Sequence, residues 1–166
     1  MKLTALAFLL AASPLAAQQP ATHDSSQHAQ HMQSDSAFAA VQRRGQGVMG
    51  VDQYTSSHVF EPLPDGGRIE LQRNVDDSAG VAQIRRHLNE VAHQFEQGDF
   101  SAPFLVHDQE VPGTAVMREK QSRIRYEVRN LPRGGEIRIT TRDTAALTAV
   151  HDFLTFQRSD HRASAH

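Results

Sequence analysis

The sequence predicts an α+β fold: two ββα units forming a four-stranded antiparallel sheet covered on one face by two helices. Three observations carry that expectation. The pattern Leu-Pro-x-Gly-Gly-x-Ile-x-Leu/Ile occurs twice, from Leu63 to Leu71 and from Leu131 to Ile139, offset by 68. Each copy lies between two runs whose apolar residues alternate. Each is then followed by a stripe of apolar residues at helical spacing.

The hairpins come first. His58, Phe60 and Pro62 share one parity before the first copy, as Ile124, Tyr126 and Val128 do before the second. After the turns, Ile69 and Leu71 alternate with Arg68, Glu70 and Gln72, and Ile137 and Ile139 alternate with Glu136, Arg138 and Thr140. Proline presets the first φ of a turn, and the paired glycines are expected to supply positive φ. Each copy therefore reads as a β-hairpin with one apolar and one charged face. Helices follow. Asp76, Asp77 and Ser78 offer caps for a stripe of Val81, Ile84, Leu88, Val91, Ala92 and Phe95, which stops at Gly98. Asp143 and Thr144 offer caps for a second stripe of Ala146, Leu147, Val150, Phe153, Leu154 and Gln157. One-sided strands must bury their apolar face, and these two helices are what is available to cover it.

The remaining segments carry less pattern. Lys2, the apolar run Leu3 to Ala12 and the small residues up to Ala17 form the pattern of a secretory signal peptide over residues 1–17. The run is too short to span a bilayer as an anchor. Residues 18–44 read as a disordered His/Gln/Ser-rich tail with a short helix over residues 37–42, broken at Gly45 and Gly47. Folded structure is expected from near Met49, the single domain running over 45–162 with a short C-terminal tail at 163–166. Residues 100–121 read as an irregular connector with a short helix starting at Thr114.

Composition narrows the chemistry. With 17 Lys and Arg against 19 Asp and Glu, the formal charge is −2, which gives no footprint for nucleic acid. No cysteine means no disulfide, thiolate nucleophile, zinc ribbon or iron–sulfur cluster. There is no Gly-x-Ser-x-Gly elbow and no phosphate-binding glycine loop after a strand. The chain reads as a binding protein more readily than as an enzyme.

The runs Met49-Gly50-Val51-Asp52-Gln53, His58-Val59-Phe60, Val106-His107-Asp108 and His151-Asp152-Phe153-Leu154, with Asp160-His161, point one way together. They resemble a family of uncharacterised, predicted exported bacterial proteins that carries no established activity. The resemblance covers most of residues 38–162. It implies one small exported domain and brings no catalytic residue with it.

Ten histidines are the one surplus. In the tail, His28, His31 and Met32 form a nitrogen and sulfur cluster suited to copper or zinc. In the domain, His58 shares a parity with Phe60, His107 sits in the connector beside Asp108, and His161 extends the second helical stripe past Gln157. With a thioether from Met49 or Met117 these define a candidate folded metal site, although no local motif enforces it. His93 falls opposite its helix's stripe and reads as a surface residue, while His87 lies at the stripe's border. The expected function is export and transition-metal binding, with copper ahead of zinc. The alternative is a non-catalytic protein-interaction or stress-related envelope module whose histidines are incidental, and a sheet edge offers a route to a homodimer.

Overall fold

The hairpins form where the repeated pattern places them. In this computed structural model, which describes residues 25–50 and 53–163, β1 (Ser56–Leu63) turns through Pro64 and Asp65 into β2 (Gly66–Arg73). β3 (Ile124–Leu131) turns through Pro132 and Arg133 into β4 (Gly134–Thr141). The signal-peptide segment 1–17, residues 18–24 and the end of the C-terminal tail lie outside the described residues. Both hairpins have the same register, Phe60 opposite Ile69 and Val128 opposite Ile137.

The sheet order is β1-β2-β4-β3, antiparallel throughout. Its central pair sets Ile69 against Ile137, the same position of the two repeats. The units are thus related by a pseudo-two-fold axis through that pair. The glycines serve this join by a different route from the one the turn predicts. Of the four hairpin glycines, Gly66, Gly67, Gly134 and Gly135, only Gly66 has a φ in the positive region, at 147°. A Cβ on Gly66 would strike the Ile139 carbonyl, and one on Gly134 would strike the Leu71 carbonyl. The second hairpin needs its glycine for space, not for φ.

α2 (Ser78–Glu96) and α5 (Thr144–Asp160) cover one face. Asp77 and Asp143 cap them, each side chain accepting from an amide three residues on, at 3.0 Å. Ile84, Leu88, Ala92 and Phe95 bury one stripe, and Ala146, Val150, Phe153 and Leu154 the other. Each helix packs chiefly on the strands of the other unit: α5 on β1 and β2, α2 on β3 and β4.

Two segments differ from expectation. The connector holds two helices, α3 (Ser101–His107) and α4 (Thr114–Glu119). α3 escapes detection because a seven-residue helix with a proline inside has too few turns to show a period. Upstream, the chain is one helix, α1 (Ser25–Met49), where the composition reads as a disordered tail with only a short helix over residues 37–42. It runs through Gly45 and Gly47 without a break. Its second half is held by tertiary contacts invisible to local pattern. Arg44 Nε donates to the Val106 carbonyl at 2.7 Å, and Arg162 meets Asp35 at 2.9 Å and lies 4.5 Å from the centre of the Phe38 ring. Among the described residues no helix is long and apolar enough to cross a membrane.

Candidate functional site

His58, His107 and His161 converge. β1 alternation turns His58 to the helix-covered side, beside Phe60. His107 ends α3, where Asp108 takes a left-handed φ of 56° and closes the helix. His161 is the residue that caps the C-terminus of α5, its amide donating to the Gln157 carbonyl at 3.0 Å. The His58 and His161 rings stack with centres 5.5 Å apart, and the His107 and His161 rings meet edge to face at 5.0 Å. Phe60 stacks on both, 5.3 Å from His161 and 6.0 Å from His58.

The three rings form one wall of a cavity of about 80 Å³ between the sheet and the helices. Its remaining lining is mainly apolar, including Leu71, Leu88, Phe95 and Phe153, with Val48 of α1 and Val106 of α3 on another side. His87 of α2 also faces it. Periodicity left His87 ambiguous because it sits at the margin of its stripe, and only the sheet's position resolves which side that margin faces. His93 is exposed and meets the Gln97 side chain at 2.9 Å, as a surface residue does.

Burial sets the charge of this wall. Loss of solvent pulls His58 down to about 4, with repulsion from His87 adding to it. Desolvation also drives His161 down to about 3, helped by His58 and His107. A helix C-terminus favours a cationic histidine, but only by about 0.3–2 kcal/mol, and here desolvation wins. His87 is lowered by burial too, against the pull of Glu90. At neutral pH His58 and His161 are uncharged imidazoles, and each keeps a nitrogen lone pair.

His107 is held from both sides. Its Nδ1 pairs with Asp160 Oδ2 at 2.5 Å, and its Nε2 lies 3.0 Å from Gln157 Oε1; a neutral ring donates to one of these two acceptors only. The adjacent Asp108 is exposed, at the left-handed end of the helix. Sequence reasoning missed Asp160. The available signal was the spacing Gln157, Asp160, His161, which sets three polar side chains on the last turn of an otherwise apolar stripe. In contrast, the Nε2 of His58 is buried and has no hydrogen-bond partner among the described residues. Such a group costs about 1–3 kcal/mol if nothing binds it.

The other candidate ligands do not join the cluster. Met117 is fully buried in the main core, on α4, and does not line the cavity. It was the apolar thioether, not a donor, that the fold used there. Met32 is 64% exposed on α1. His28, His31 and Met49 belong to α1, but their side chains lie outside those described. Among the described residues, no group of three or more His, Asp or Glu side chains is arranged around a metal ion position. The chemistry available is that of the neutral nitrogen donors of His58 and His161 in a mainly apolar pocket. Comparison with protein-family models, with curated proteins and with solved structures finds no match to this chain.

Proposed function

We propose that the protein is an exported, non-catalytic binding protein that takes a transition-metal ion, copper foremost and zinc second, at His58, His107 and His161. The observation that carries this is the meeting of three imidazoles from β1, α3 and the C-cap of α5 at one cavity wall, one of them with a buried Nε2 that has no partner among the described residues. Imidazole without thiolate suits copper and zinc. The His107–Asp160 pair supplies the carboxylate that orients a metal-bound histidine through its other nitrogen. Ligation through His107 Nε2 exchanges its Gln157 contact for the ion.

Metal titration of residues 18–166 with Cu(I), Cu(II) and Zn(II) tests this. Micromolar or tighter binding is expected, weakened about 100-fold in His58→Gln/His161→Gln. Binding retained in that variant and lost in His28→Ala/His31→Ala/Met32→Ala moves the site to α1 and ends the folded-site reading. Affinity weaker than millimolar in the unaltered chain ends both. A second reading, an interaction module, is favoured by Phe104 and Leu105, adjacent on α3 and 50% and 56% exposed. The outer edges of β1 and β3, which have no strand partner among the described residues, suit a homodimer. A monomer in sedimentation at high concentration counts against the dimer.

A further inference from the structure

We propose that the open end of the β3–β4 ladder is an oxyanion site, in which Arg123, Arg125 and Arg142 bind a phosphate-type group. The three line one surface cleft with Ser122, Thr140, Thr141 and two carboxylates, Asp65 and Asp143. Arg125 stands opposite Thr140, and Arg123 and Arg142 lie one step beyond the last pair, Ile124 with Thr141. Like charges held side by side at strand positions oppose folding. Everywhere else on this face the fold neutralises them. Arg68 reaches Glu61 at 2.6 Å, Arg129 reaches Glu127 at 3.0 Å, and Arg138 pairs with Asp65.

At the ladder's end the nearby acids are already engaged. Asp143 accepts from the Ala146 amide as the cap of α5. Asp65 is bound to Arg138, and Glu127, which feels the charge of Arg125, is bound to Arg129. Among the described residues, the guanidinium groups of Arg123, Arg125 and Arg142 have no hydrogen bond or ion pair.

The internal repeat provides the control. Offset by 68, the same three places in the first unit hold Thr55, Ser57 and Asn74. That unit forms the same hairpin in the same register. The fold therefore does not need arginine there. What three forked guanidiniums around one cleft offer is bidentate contact to a multiply charged tetrahedral oxyanion. Free phosphate and a phospholipid headgroup share that chemistry. The site is remote from the histidine cavity in its lining residues and stands independently of the metal reading.

The test exchanges the arginines for the first unit's residues, Arg123→Thr/Arg125→Ser/Arg142→Asn, in the full mature chain. Amide resonances are followed during titration with inorganic phosphate and pyrophosphate. Co-sedimentation is measured with phosphatidylglycerol and with phosphatidylcholine vesicles. The expected result is saturable shifts confined to residues 122–143, tighter for pyrophosphate and weakened at least tenfold in the variant. Binding restricted to phosphatidylglycerol vesicles, and lost in the variant, places the same site on a lipid headgroup. An Arg43→Gln/Arg86→Gln control, exposed on the helices, should bind as the unaltered chain does. No saturable binding in either arm, or equal binding by the exchanged variant with its spectrum still that of a folded protein, overturns the proposal.

Discussion

At the level of single residues, burial overrides the ordinary behaviour of histidine. His58 and His161 titrate near 4 and 3 when folded, against 6.5 when unfolded. The unfolded chain thus binds more protons through that window, so stability rises with pH there. It is fully present above about 6.5 and is lost as pH falls toward 4 and then 3. Each group contributes roughly 3 kcal/mol or more to that loss. Urea midpoints of chelated protein from pH 7.5 to 4 should fall steeply, and His58→Leu should flatten the fall. An unchanged slope in the variant would show that other groups govern it. Glycines offer a second contrast. Gly134→Ala drives a Cβ into the Leu71 carbonyl and should cost about 2–3 kcal/mol. Gly47→Ala has no heavy atom within 4 Å and sits inside a helix, so it should stabilise by about 0.5–1 kcal/mol. Thermal melts read both signs.

Among the elements, α1 departs furthest from the sequence pattern. Its composition is too polar to bury a face by itself, and its tie to the domain rests on a few long-range contacts. The pins lie next to the histidine wall: Arg44 on the carbonyl of Val106, adjoining His107, and Arg162, adjoining His161. The Arg162–Asp35 pair is exposed and adds little, and the Arg162–Phe38 contact adds about 0.5–1 kcal/mol. Arg162→Ala should therefore leave global stability within about 1 kcal/mol. It should speed amide exchange of residues 33–38 about five-fold, as local opening becomes easier. Exchange unchanged there would mean that other contacts hold the helix.

For the whole molecule, the exchange of helices between units makes the two halves one folding unit. α2 finds its strands in the second repeat and α5 in the first. A fragment of residues 53–98 has a hairpin and a helix but leaves the Ile84–Phe95 stripe without its main partner. It should show no cooperative unfolding by circular dichroism, and a cooperative transition would refute the interlock. The two-fold join also sets Arg68 against Arg138 and Glu70 against Glu136. That arrangement is tolerated because Arg68 meets Glu70 along its own strand at 3.4 Å and Glu136 diagonally at 3.9 Å.

The sequence by itself determined the hairpins, the two helices that cover the sheet, their aspartate caps and the fold class. Those features rest on local period and turn chemistry, which a chain carries wherever it folds. It also singled out His58, His107 and His161. Only the tertiary structure decided that their rings meet, that His107 pairs with Asp160 and not with Asp108, and that Met117 belongs to the core. It alone placed each helix over the opposite unit and docked α1. These outcomes depend on contacts between residues far apart in the chain, whose strength comes from shared burial that no local window records.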